Sequence, residues 1–258
     1  MPRGAAGDTH VVRPVHRPNA DRTLVCLGFC GGGTGSYRAW AHVLGPDVDL
    51  ALVCYPGREG RFAEPYAHDW AELIDDTTAA VRRAADRPYV LFGHSMGGWM
   101  AFDVVTGMAG RGDPLPGVVV LSACNAPDRG LTERDRFPSV DDTDAGLLEW
   151  MRIGGLLPDY VRDDPDLTEM AVELMRADVR IRDTYRYRPG VRTGLPVQVL
   201  HGVDDPVIDP DVATRWRAVC DGPLTVTPLP GGHFYTPEVW ADLPRHIDSF
   251  AFDLTAHN

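Results

Sequence analysis

Short apolar runs recur along the chain, separated by longer stretches in which apolar residues return at helical spacing. The runs at 23–29, 50–55, 88–92, 118–122, 196–200 and 224–227 predict strands. Segment 68–85 places Trp70, Leu73, Ile74, Thr77 and Val81 on one helical face. Segments 95–108, 211–219 and 237–250 also read as helices. Strands alternating with helices predict an α/β fold, a mostly parallel central sheet flanked by helices. One stretch breaks the rhythm. The interval between the strands at 118–122 and 196–200 is too long for a plain loop. It carries its own helical pattern in Leu147, Leu148, Met151, Ile153, Leu167, Met170 and Leu174. We read it as a helical lid insertion over about 128–190. Residues 1–20, with Pro2, Gly4 and Gly7 at their start, predict a flexible tail, which leaves 21–258 as one domain.

Composition narrows the chemistry. The 258 residues include 44% hydrophobic and 24% charged side chains, an ordinary globular balance. A net charge of −12 argues against nucleic-acid binding, which needs a basic field. The chain contains no lysine. That removes a Walker A phosphate loop, a Schiff-base mechanism and a Ser-x-x-Lys acyl enzyme. The five cysteines form no tight framework, and Cys26 and Cys30 are spaced one residue too widely for a C-x-x-C clip. No metal site or cofactor is expected. The glycines at 31, 33 and 35 offer G-x-G, but Ser36 or Arg38 occupies the third glycine position of a dinucleotide fingerprint. With neither a secretory signal nor an apolar run of membrane-spanning length, the expectation is a reduced, cytoplasmic protein with no membrane partner.

The strongest chemical signal is Gly93-His94-Ser95-Met96-Gly97, directly after a predicted strand and directly before a predicted helix. Glycines two residues to either side of a serine permit a sharp strand-to-helix turn that lifts Oγ above the sheet. The same turn sets the Met96 N–H at a helix start, where backbone donors lack partners. This elbow resembles that of the α/β-hydrolases, in which the chain order is serine, acid, histidine. Past the strand at 196–200 stand two candidate acids, Asp204 and Asp205, and past the last strand Gly231-Gly232-His233 returns an imidazole. Among the remaining histidines, His94, His201 and His246 read as packing, loop or surface residues. The glycine-rich loop Gly28-Phe29-Cys30-Gly31-Gly32-Gly33 follows the first core strand, where a second oxyanion donor belongs. Cys30 is read as that backbone donor rather than as a nucleophile, because no base is assigned to it.

With these residues in hand, the chain resembles the type II thioesterases of polyketide and nonribosomal peptide assembly lines. The resemblance runs from about Leu24 to Phe234. It is carried by Cys30-Gly31-Gly32-Gly33, Tyr37-Arg38-Ala39-Trp40, Tyr55-Pro56-Gly57-Arg58-Glu59-Gly60-Arg61, the Ser95 block, Arg176-Ala177-Asp178, Gly202-x-x-Asp205-Pro206 and Gly232-His233-Phe234. Cys30 departs from the family's usual alanine, a change that leaves the backbone N–H in place.

The resemblance implies an α/β-hydrolase fold with a lid and a catalytic set of Ser95, Asp205 and His233. It selects Asp205 over Asp204, and it implies oxyanion-hole N–H groups from Cys30 and Met96. The implied substrate is an acyl group on the phosphopantetheine arm of an acyl or peptidyl carrier protein, removed by a stand-alone editing enzyme. No upstream carrier domain is expected, since only a short tail precedes Thr23, and His246 takes the glycine position of the G-x-D-S attachment pattern at Asp248-Ser249. Rival readings are a general carboxylesterase or lipase using the same triad, and a non-catalytic hydrolase-fold ligand-binding protein. Arg58 and Arg61 have two readings: ion pairs within the loop, with Glu59 or Glu64, or a contact to an acidic carrier or its phosphate.

Overall fold

Seven strands form a single sheet in the order β1-β3-β2-β4-β5-β6-β7. The computed structural model describes residues 8–132, 135–136 and 140–251. The strands are β1 (Val11–Val12), β2 (Arg22–Leu27), β3 (Val48–Val53), β4 (Tyr89–His94), β5 (Val118–Ser122), β6 (Val197–Gly202) and β7 (Leu224–Leu229). Among the described strands, only β1 runs antiparallel to its neighbour.

Crossovers fix which faces are covered. Helices α1 (Trp70–Ala84), α2 (Met96–Arg111) and α6 (Val212–Val219) belong to one apolar cluster with Val25, Leu27 and Leu91. A 3₁₀ segment, Thr34–His42, and the C-terminal helical turns cover the other face, against Leu24, Cys26, Val90 and Phe92. Successive residues of one strand thus enter opposite cores. That is why all six residues of β4 are buried and its run is almost wholly apolar. Between β5 and β6 lie, among the described residues, α3 (Asp144–Ile153), α4 (Asp159–Arg162) and α5 (Pro165–Asp183), in the stretch expected to form a lid.

Three expectations change. The tail expected over 1–20 is structured in its described part: Val11 pairs with Val53, and Val11 is buried. Arg17 donates to the carbonyls of Ala41, Gly45 and Val48 at 2.6 Å, so an arginine fastens this segment by its side chain. Residues 1–7 lie outside the described set, as do parts of the lid at 133–134 and 137–139. Strand β3 begins at Val48 rather than 50, since Asp49 is held inside the sheet by an ion pair to Arg13.

The helix expected over 237–250 breaks into α7 (Pro237–Ala241), a 3₁₀ turn (Leu243–His246) and α8 (Asp248–Ala251). Pro244 has no N–H to give the Trp240 carbonyl. That carbonyl accepts from Trp40 Nε1 at 2.8 Å instead.

Candidate active site

Ser95 sits at the end of β4 with φ 55° and ψ −119°, the left-handed region that a non-glycine residue rarely occupies. Its N–H is tied to the Ser122 carbonyl at 2.8 Å. The flanking glycines are a packing requirement. A Cβ on Gly93 would strike the Gly97 carbonyl, and one on Gly97 would strike the carbonyls of Leu27 and Gly28. Met96 opens α2, so its N–H belongs to the first turn, which has no intrahelical acceptor.

The two loops at the ends of β6 and β7 bring the other groups over. His233 Nε2 is 3.0 Å from Ser95 Oγ, and His233 Nδ1 is 2.8 Å from Asp205 Oδ2. The side chain of Asp205 is fully buried, and its Oδ1 accepts the Val207 N–H at 2.9 Å. Asp204 is exposed; its N–H donates to the Gly231 carbonyl at 3.0 Å, stitching the two loops together. Cys30 is brought against Met96, with Sγ 3.4 Å from Sδ. Burial pushes the Cys30 thiol up to about 12, so it stays protonated at neutral pH and offers no thiolate. All five residues proposed from sequence therefore converge at one end of the sheet.

His94 points into the core. It is buried, its Nδ1 is 3.0 Å from Ser122 Oγ, and Ser122 Oγ is 2.6 Å from the Tyr235 hydroxyl. Burial, with a smaller effect from nearby His233, holds its pKa well below the usual imidazole value. The His94–Ser122–Tyr235 chain lies beneath the His233 loop and was not legible in sequence, because its members come from three separate elements.

Arg58 and Arg61 make ion pairs, though not the ones expected of Arg58. Arg58 meets Asp178 of α5 in a two-pronged pair at 2.6 and 2.9 Å. Arg61 pairs with Glu64 at 2.6 Å and Asp76 at 2.7 Å. Both guanidiniums are buried, which overturns their reading as contacts to a carrier's phosphate.

A cavity of about 60 Å³ adjoins Ser95, Met96 and His233, with Trp99, Leu131 and Val207 among its walls. A larger groove of about 550 Å³ runs between the glycine-rich loop and the lid, past Phe29, Tyr160 and Phe234. Among the described residues, no cluster of His, Cys, Asp or Glu has metal-binding geometry. No helix there is long and apolar enough to cross a membrane.

A parallel sheet, a serine elbow after its central strand and helices on both faces define the α/β-hydrolase class. Residues 22–250 match the thioesterase domain family, and the chain belongs to it. It is 32% identical over 239 residues to the probable cadicidin biosynthesis thioesterase of Streptomyces griseus, covering 92% of this chain and 63% of that protein. Thioesterase PikA5 of Streptomyces venezuelae is 30% identical, with 89% of this chain and 81% of that one covered. Among solved structures, the type II thioesterase BorB from the borrelidin biosynthetic cluster superposes with a TM-score of 0.79 at 33% identity. That likeness covers 97% of this chain and 98% of BorB.

Proposed function

We propose that this chain is an editing thioesterase that hydrolyses acyl groups from the phosphopantetheine arm of acyl or peptidyl carrier proteins in a polyketide or nonribosomal peptide pathway. The observation that carries the reading is His233 bridging Ser95 Oγ and buried Asp205. Likeness to BorB and to the two biosynthetic relatives supports the thioester substrate and action in trans.

In the proposed reaction His233 Nε2 takes the Ser95 hydroxyl proton as Oγ attacks the thioester carbonyl. Asp205 orients the imidazole and stabilises its cation. The N–H groups of Cys30 and Met96 receive the oxyanion. The C–S bond breaks, and the imidazolium proton passes to the departing sulfur, leaving an acyl-serine. Water then gives its proton to His233 while its oxygen attacks the ester, and the free acid leaves as Ser95 Oγ is reprotonated. The acyl group occupies the small cavity beside Ser95, and the arm lies along the groove past Phe29 and Phe234.

The test is kcat/KM for one propionyl group presented on a carrier protein, on coenzyme A and as a p-nitrophenyl ester, with Ser95→Ala as the blank. Clear preference for the carrier supports the editing role. Equal or faster turnover of the free ester favours a general esterase. Absence of a phosphonyl-serine adduct with a fluorophosphonate favours a ligand-binding protein.

A further inference from the structure

The glycine-rich loop that carries Cys30 is held from both sides. Tyr55 donates to the Gly28 carbonyl at 3.2 Å, and Arg58 Nη1 donates to the Gly32 carbonyl at 2.8 Å. Glu59 accepts from Thr34 Oγ1 and, at 3.3 Å, from the Gly35 N–H. The Tyr55-Pro56-Gly57-Arg58-Glu59 segment is therefore a cradle for residues 28–35.

One anchor comes from elsewhere. Asp178, on lid helix α5, accepts the Gly31 N–H at 2.8 Å through Oδ2, the oxygen that also receives Arg58 Nη1 at 2.9 Å. Its other oxygen receives Arg58 Nη2 at 2.6 Å. Asp178 is fully buried and Arg58 nearly so. One turn earlier on the same helix face, Met175 packs against Gly31, whose φ of 72° and lack of Cβ leave room for it. Asp178 thus fastens the residue directly after Cys30, while Arg58 fastens the next.

We propose that Asp178 and Arg58 are positioning residues that aim the Cys30 N–H at the developing oxyanion, so that this donor is in place only when α5 is seated. The inference rests on Cys30 serving as an oxyanion donor. Two charges buried together are poorly suited to simple stabilisation, since apolar residues of like volume often serve as well or better. Here both also hold backbone groups in the two residues that follow one catalytic amide, Asp178 the Gly31 N–H and Arg58 the Gly32 carbonyl. Peptide donors act only when they point at the place where charge appears, so a small tilt of the Cys30 plane weakens the transition state and leaves ground-state binding alone.

The experiment compares wild type with Asp178→Asn and with the double variant Arg58→Met/Asp178→Leu, using propionyl-pantetheine as substrate. Four quantities are read: kcat, KM, Tm and the inhibition constant of an alkyl boronic acid, which forms a tetrahedral adduct on serine. In both variants kcat is expected to fall about tenfold to hundredfold, less than or comparable to loss of one oxyanion donor. KM stays within about twofold, and boronate affinity falls in step with kcat. The double variant, with no unpaired buried charge, is expected to melt close to wild type.

Wild-type kcat in a folded double variant overturns the proposal. So does a loss of kcat in Asp178→Asn that leaves boronate affinity unchanged, a measurement that stands even if the double variant does not fold. Ser95→Ala separates the two levels. Turnover by that variant overturns the serine mechanism itself, whereas full kcat in the double variant with an inactive Ser95→Ala overturns only the positioning role.

Discussion

Asp205 Oδ2 lies 2.8 Å from His233 Nδ1, and the side chain that makes this contact is wholly buried. Its neighbour Asp204 is exposed and engages the His233 loop only through its backbone. Two adjacent carboxylates therefore have different consequences on removal. Asp205→Asn is expected to lower kcat by about three to four orders of magnitude, because the amide favours the wrong imidazole tautomer and carries no charge. Asp204→Asn should leave kcat within about twofold. Steady-state kinetics of the two variants checks both, and equal losses would reject the choice of Asp205.

The cavity beside Ser95 is only about 60 Å³. Acyl groups of two to four carbons should react well, and kcat/KM should fall as the chain lengthens, by about tenfold per one or two carbons that no longer fit. Leu131 is one of its lining residues. Leu131→Ala is expected to shift the optimum toward longer chains, as read with a series of acyl-pantetheines.

His94 supplies a pH signature. Its folded-state pKa lies well below the ordinary imidazole value of about 6.5 because burial disfavours the imidazolium. The unfolded chain therefore binds a proton near pH 6.5 that the folded chain refuses. The sign follows directly: stability from this residue is intact above about pH 6.5 and is lost as pH falls, with a slope of up to about 1.4 kcal/mol per pH unit. Urea unfolding at pH 7.5 and 5.5 should show a steeper loss for wild type than for His94→Asn. Identical slopes would place no buried neutral histidine there.

All five cysteines are buried and unpaired, and burial raises every one of their thiols. A thiol reagent such as DTNB should find almost no reactive group in the native protein and five after denaturation. Iodoacetamide should leave thioesterase activity intact. Rapid inactivation prevented by substrate would instead point to Cys30 as the reacting group.

The serine elbow was legible in sequence because its geometry is local. Gly93, Ser95 and Gly97 span one turn, and the clash that Gly93 avoids is with Gly97 inside it, although the clash that Gly97 avoids is with Leu27 and Gly28 beyond the turn. Asp205 and His233 were legible as positions after strand ends. Choosing Asp205 over Asp204 needed the family motif, because neighbouring residues in one loop differ only in which way the fold turns them. The partner of Arg58 was not legible at all. Glu59 and Glu64 were nearer in sequence, yet the crossover through the lid delivers Asp178 from 120 residues away.

By itself, the sequence determined the α/β class, the alternation of strands and helices, and the serine and histidine positions with the acid narrowed to Asp204 or Asp205, since each depends on periodicity or on a turn within a few residues. Tertiary structure alone decided the order of the strands, how Arg17 fastens the first described residues, where Pro244 breaks the last helix and which residue of α5 holds the Cys30 loop. Those outcomes depend on which distant surfaces meet and lose water together, and a buried charge takes the partner that the fold places beside it.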